Sequence, residues 1–101
     1  IQRHGENQEQ NFEEYLLKLS SKYDLPIIAS QEVYYLDPSM SEAHDALICI
    51  GEKQFVDNPN RFRLSNQHFF KKNEDVQKLF KDIPEALTNN YSFPFRFKFF
   101  L

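Results

Sequence analysis

The stretch Leu25-Pro-Ile-Ile-Ala-Ser-Gln-Glu-Val-Tyr-Tyr-Leu36 decides the fold that the sequence predicts. Its apolar run, residues 27–29, is short, rich in β-branched side chains and entered through Pro26. A run of that length without polar alternation is typical of a strand that is covered on both faces in a parallel α/β sheet. We therefore predict one buried strand here.

Polar residues follow this strand at the point where it should end, as Ser30-Gln-Glu32. Open α/β sheets and α/β barrels carry their chemistry at the carboxyl ends of their strands. Glu32 and Tyr34 are therefore the first candidate site residues.

Length and composition bound the class of protein. The chain has 101 residues, of which 41% are hydrophobic and 27% charged, which suits one domain of modest size. Its formal charge of −3 gives no overall electrostatic footprint for nucleic acid. The single cysteine, Cys49, excludes an internal disulfide and is expected to be a buried structural thiol. Neither a membrane-span pattern nor a signal peptide is visible, so a cytoplasmic location without membrane contact is expected.

A polar connecting segment, residues 1–10, is predicted to precede the first helix, with His4 solvated. Asn11 is a good N-cap for a helix over residues 11–23, which Pro26 prevents from continuing. Apolar residues recur along this helix at helical spacing and predict one buried stripe: Phe12, Tyr15, Leu16, Leu19 and Tyr23.

A second helix is predicted after Asp37, where Ser39 and Glu42 have the spacing of a capping box and Gly51 follows the last turn. Its predicted apolar face consists of Met40, Ala43, Leu47 and Ile50. His44 lies beside that face, and we interpret it as a histidine packed at the edge of a core rather than as a metal ligand, because no partner stands at ligand spacing.

The connection at residues 52–64 ends in Arg61-Phe-Arg63. Two arginines around an aromatic could bind phosphate or stack on a base. The alternative is a loop anchor, with Phe62 directed inward and both arginines paired to acids.

Two further helices are predicted near the end of the chain. Asn73 is expected to cap the first, and Pro84 to open the second, because proline is tolerated at the first helical position. The apolar stripe that joins them comprises Val76, Leu79, Phe80 and Ile83.

The last eleven residues, 91–101, contain six aromatic side chains. Phe93, Phe95, Phe97 and Phe99 alternate as an edge strand would. The same run also predicts an aggregation-prone tail.

Four motifs, in order, resemble the C-terminal part of the PHP (polymerase and histidinol phosphatase) domain of the bacterial DNA polymerase III alpha subunit family. The first, Gln31-Glu-Val-Tyr-Tyr35, is similar to the family's Asn-Asp-x-His-Tyr, and Ala43-His-Asp-Ala-Leu47 follows it. Asp57-Asn-Pro-Asn-Arg-Phe-Arg63 resembles the family's Asp-x-Pro-x-Arg-x-Arg loop. Leu79-Phe-Lys-Asp-Ile-Pro-Glu-Ala-Leu-Thr-Asn89 is the most specific match, and the resemblance stops near Asn90.

This resemblance implies an incomplete piece of an α/β barrel, covering residues 11–90, with residues 91–101 as an unmatched tail. In metal-binding members the Asp and His of the first motif are ligands for divalent metals. Here those positions carry Glu32 and Tyr34, and a neutral phenol is a poor ligand for zinc or manganese. We therefore expect a degenerate metal site that holds no cofactor.

The resemblance also implies a role in DNA replication as a structural piece of a DNA-directed DNA polymerase, a nucleotidyltransferase whose catalytic carboxylates this chain lacks. Its partners would be the remainder of the alpha subunit and the replisome, with DNA bound through the parent protein. The alternatives are a residual metal-dependent phosphoesterase at Glu32, with His44, and a single-strand nucleic-acid binder that uses Arg61 and Arg63. For the tail, we favour a frameshifted, truncated relic over a working edge strand.

Overall fold

The computed structural model describes residues 1–97 and consists of four α-helices joined by extended segments. Helix α1 spans Glu9–Tyr23, α2 spans Ser41–Glu52, α3 spans Asn73–Leu79 and α4 spans Pro84–Ser92. Short 3-10 turns precede α2, at Pro38–Met40, and follow α4, at Phe93–Arg96.

The predicted buried strand is not formed within residues 1–97. The stretch at 25–36 is extended, but its one β-bridge is an isolated parallel pair between Tyr35 and Phe69. A strand needs a continuous ladder of backbone hydrogen bonds to a neighbouring strand, and that neighbour is absent here. The prediction of a strand was therefore wrong, and the α/β barrel is not seen in the described part of the chain.

Individual contacts satisfy the backbone of this extended segment instead. On one edge, the amino group of Ile1 donates to the carbonyl of Ile28 at 2.8 Å, and the amide of Ser30 donates back to the carbonyl of Ile1 at 2.9 Å. On the other edge, Asn90 of α4 donates to the carbonyl of Ala29 at 2.8 Å and accepts from its amide at 3.2 Å. Two asparagines are involved, since Asn89 also donates to the carbonyl of Ile27 at 2.7 Å. Side-chain amides of α4 thus occupy the place of a neighbouring strand.

The hydrophobic core lies where α3 and α4 pack on this segment. Its buried members are Ala29, Phe80, Ile83 and Ala86. Half-buried side chains surround it, namely Ile1, Leu17, Ile27, Val76, Leu79 and Leu87. The predicted stripe of α3 and the start of α4 at Pro84 are both confirmed. Asn73 is the first residue of α3 rather than its cap, because Lys72 holds the extended cap conformation.

Helix α1 forms as predicted but begins at Glu9, two residues before the predicted cap Asn11, and ends at Asp24 in the left-handed conformation. Its apolar stripe is only partly buried. Phe12, Tyr15 and Tyr23 are more than half exposed, whereas Leu17 contacts the core. The helix therefore packs through a face about one position away from the predicted stripe.

Helix α2 also forms, but it packs through the opposite face from the predicted one. The thiol of Cys49 is buried, as predicted, whereas Leu47 and Ile50 are 63% and 75% exposed. The predicted helix ends were also wrong. Asp37 accepts the amide of Ser39 at 2.9 Å and caps the 3-10 turn, and Lys53, not Gly51, ends the helix with a φ of 54°.

The aromatic tail begins inside α4, at Tyr91 and Ser92, and continues as a 3-10 turn over Phe93–Arg96 rather than as an edge strand. Phe95 and Phe97 are largely exposed, and the alternating position Phe99 lies outside the described residues. Among the residues that the structure describes, no helix is long and apolar enough to cross a membrane.

Candidate functional site

The structure brings the candidate residues Glu32 and Tyr34 together with two histidines. The ring of Tyr34 stacks on that of His44, with ring centroids 4.8 Å apart, and lies 5.5 Å from the ring of His68. The backbone holds this arrangement, because the amide of Tyr34 donates to the carbonyl of His68 at 2.9 Å. His44 is half-buried at the edge of the fold, as predicted.

His4 is a correction, since it is buried rather than solvated. Its ring stacks face to face on that of His68, with centroids 4.1 Å apart and planes within 1°, and each residue is 2% exposed. The Nε2 atom of His4 accepts the amide of Glu32 at 2.9 Å. Nδ1 must therefore carry the proton of the neutral ring, and it donates to Glu9 at 2.8 Å. Through this tautomer, the ring of His4 connects the start of the chain to Glu32, one of the predicted site residues.

Backbone geometry explains why His4 is held so firmly. Gly5 has a φ of 77°, a left-handed conformation that a residue with a side chain rarely adopts. The amides of His4, Gly5 and Glu6 then converge on the carboxylate of Glu9 at 2.7–3.2 Å. Burial alone would raise the pKa of Glu9, but the hydrogen bonds from His4 outweigh it and hold the pKa below its ordinary value. Glu9 is thus a charged anchor for the first turn of α1.

His68 is held on one side only. Its Nε2 atom lies 3.2 Å from a carboxylate oxygen of Glu6, whereas its Nδ1 atom has no hydrogen-bond partner within residues 1–97. The nearest acid to Nδ1 is Glu32, whose Oε2 atom is 3.9 Å away, beyond hydrogen-bond range. No local pattern in the sequence marks this pair, since His4 and His68 lie far apart along the chain and neither has a metal-ligand spacing.

These donors do not fit a divalent metal. In the described ranges, no group of three His, Cys, Asp or Glu side chains is placed to hold an ion. A hydrogen bond to Glu32 raises the pKa of Tyr34, so its phenol stays protonated near neutral pH and offers no anionic oxygen. Glu32 therefore has His68 as its one close nitrogen donor, and a zinc site needs at least three protein ligands.

The second candidate pair, Arg61 and Arg63, lies on a different part of the fold. Arg61 donates to both carboxylate oxygens of Asp45 on α2, at 2.6 and 2.5 Å, and its side chain is 1% exposed. Arg63 is 3.6 Å from the same carboxylate but largely exposed. The pairing of arginines with an acid is thus as predicted, whereas Phe62 is 56% exposed and not directed inward.

The hydrogen bonds from Arg61 hold the pKa of Asp45 below its ordinary value. A bidentate pair of this geometry fixes α2 to the loop at residues 52–64. The Arg61 guanidinium is therefore already paired. Its partner, Asp45, lies sixteen residues earlier in the chain, and the sequence alone could not reveal this pair.

Comparison with known proteins identifies relatives of the chain. No family model matches it. The DNA polymerase III subunit alpha of Caulobacter vibrioides is 39% identical over 89 residues, which cover 88% of this chain and 8% of that protein. The corresponding proteins of Rickettsia prowazekii and Treponema pallidum are 36% and 31% identical, again over 88% of the chain.

These matches agree on one protein family across separate bacterial groups. The chain spans about 8% of the length of each of these relatives. It is therefore homologous to a short segment of the bacterial DNA polymerase III alpha subunit.

Proposed function

We propose that the chain is a structural, non-catalytic segment of the PHP region of a DNA polymerase III alpha subunit. The observation that carries this proposal is the site at Glu32, where the family's ligand positions coincide with a carboxylate and a protonated phenol. A scaffold segment needs no metal ligands, because its task is to hold neighbouring elements in place.

The backbone contacts support the assignment to an α/β barrel. Ile1 exchanges hydrogen bonds with Ile28 and Ser30, the residues on either side of Ala29, which is the pattern of a parallel pair. The bridge between Tyr35 and Phe69 is also parallel. Both are isolated parallel contacts rather than a strand ladder, and they suit an extended segment within a larger α/β fold.

The exposed apolar side chains support the remainder of the alpha subunit as the partner. Large hydrophobic residues on two helices are more than half exposed, including Phe12 and Tyr15 on α1 and Leu47 and Ile50 on α2. Extensive exposed apolar surface on a small domain marks an interaction surface. Contact with the replisome and with DNA would then take place through the whole polymerase.

A chimera tests this function. The matched segment of the Caulobacter vibrioides subunit is replaced by this chain, and folding is followed by thermal melting and activity by primer extension. We expect the chimera to melt cooperatively and to extend primers, unlike a matched deletion that lacks the segment. A chimera that behaves like the deletion would refute the proposed function.

Neither alternative function is favoured by a specific contact. A residual phosphoesterase would need more ligands than Glu32 and His68 supply, and His44 is stacked on Tyr34. Single-strand binding would need free cations, whereas the guanidinium of Arg61 is engaged by Asp45. With the net charge of −3, Arg63 alone is a weak phosphate contact.

A further inference from the structure

The outer face of α2 is an apolar stripe that nothing in the described chain covers. We define this stripe by Met40, Ala43, Leu47 and Ile50, which recur at the spacing of one helix face. All four are exposed, with values of 46% for Met40, 63% for Leu47 and 75% for Ile50. No charged residue lies within the stripe.

The helix cannot bury this stripe by rotating. At about 100° per residue, Asp45 and Cys49 project to the side opposite Leu47. Asp45 is fixed there by its two hydrogen bonds to Arg61, and Cys49 is 4% exposed. Turning the stripe inward would break the ion pair and expose the thiol, so the stripe stays on the outer surface of this fold.

We infer that the stripe is the docking face for an apolar helix from another part of the alpha subunit. This inference rests on the proposed function and identifies the surface through which the chain would contact the rest of the alpha subunit. The ridge of residues three and four apart suits packing against a second helix, and the small side chain of Ala43 lets the partner approach closely. The matched segment is about 8% of the length of the relatives, so most of each related polypeptide lies outside the match and can supply the covering element.

A second copy of this chain is a poorer occupant. A stable interface between separate proteins buries about 800 Å² on each side and involves about 20–30 residues. Three side chains on a helix of 12 residues, with Met40 just before it, fall well short of that size. A contact within one large polypeptide has no such requirement, since the partner is already held nearby.

The test compares two double variants in the chimera with the Caulobacter vibrioides subunit. Leu47→Glu/Ile50→Glu places two charges on the stripe. Gln77→Glu/Thr88→Glu places two charges on exposed polar positions of α3 and α4 and serves as the matched control. We expect the stripe variant to lower the melting temperature of the chimera well below that of the control. Equal melting temperatures would overturn the inference while leaving the proposed function in place.

The isolated chain supplies the second measurement. There the stripe faces solvent, so the stripe variant should retain the helical circular dichroism and the melting temperature of the unsubstituted chain. Light scattering after gel filtration should show the same mass for both. A dimer that the stripe variant dissociates would assign the stripe to a second copy and overturn the inference. An unsubstituted chimera that fails to fold would instead refute the proposed function.

Discussion

At the residue scale, Glu32 is the residue on which any remaining metal binding at the family's site would depend. Its carboxylate is half exposed and has one nitrogen within 4 Å, the unpartnered Nδ1 of His68. Two donors bind zinc or manganese weakly, because the remaining ligands must be water. We predict no stoichiometric binding of either metal at neutral pH, measured by calorimetry on the purified chain. Tight binding that Glu32→Ala abolishes, but that the control Glu14→Ala retains, would show that the site still functions.

Asn90 carries a second prediction at this scale. Its side chain accepts from the amide and donates to the carbonyl of Ala29, which is 7% exposed. In Asn90→Leu the carbonyl of Ala29 loses its donor, whereas its amide keeps the carbonyl of Ala86 at 3.3 Å. A buried group left without a partner costs about 1–3 kcal/mol, and we expect the lower end because the asparagine itself is exposed. Urea unfolding followed by circular dichroism measures the decrease in the free energy of unfolding. The control Thr88→Val, at an exposed position on the same helix, should change this free energy very little.

At the element scale, one arginine joins three parts of the fold. Arg3 donates to Glu13 on α1, to Asp82 before α4 and to the carbonyl of Leu79 at the end of α3. Its hydrogen bonds lower the pKa of Asp82 to about 2. The pKa of Asp82 in the unfolded chain is near 3.8, so between these values the unfolded state binds more protons.

The stabilisation from Asp82 is therefore present above pH 4 and is lost as the pH falls toward 2. Its side chain is 57% exposed, so screening by solvent keeps the contribution small. We expect Asp82→Asn to be less stable than the unsubstituted chain at pH 6 and nearly equal to it at pH 2. Melting temperatures at the two pH values test this. A constant difference between the proteins would mean that the contact with Arg3 does not depend on the charge of Asp82.

The elements also differ in how far the sequence predicts them. Helices α1 and α4 are predicted by local signals, the apolar spacing before Pro26 and the helix-opening Pro84. Both form, although α1 begins at Glu9 rather than after Asn11. The strand at residues 25–36 fails because its partners lie elsewhere, and no local pattern supplies a ladder. The apolar face predicted for α2 has the spacing of one helix face but is exposed, because periodicity does not say which face of a helix packs on the rest of the chain. The His4–His68 stack depends on residues distant in sequence, and no spacing rule could reveal it.

At the scale of the whole molecule, the described chain has a small core for its length. Four residues make up the buried cluster, and many large apolar side chains remain exposed. About 1.5 kcal/mol of conformational entropy opposes the ordering of each residue, so a core of this size leaves little net stability. We therefore expect a shallow, low-temperature melt for the isolated chain.

We expect the aromatic tail to determine whether the isolated chain aggregates. Tyr91, Phe95 and Phe97 are more than 60% exposed. Within residues 91–97, the rings of Phe93 and Phe97 contact each other edge-on, but no residue of this part of the tail belongs to the buried cluster. Removing residues 94–101 leaves α4 intact, together with the hydrogen bonds of Asn89 to Ile27 and of Asn90 to Ala29. We predict higher solubility, unchanged helical circular dichroism and the same melting temperature, with Phe95→Ser/Phe97→Ser as a full-length variant that should behave likewise. If truncation instead abolished the cooperative melt, the tail would be a working part of the fold, and its interpretation as a frameshifted relic would have to be dropped.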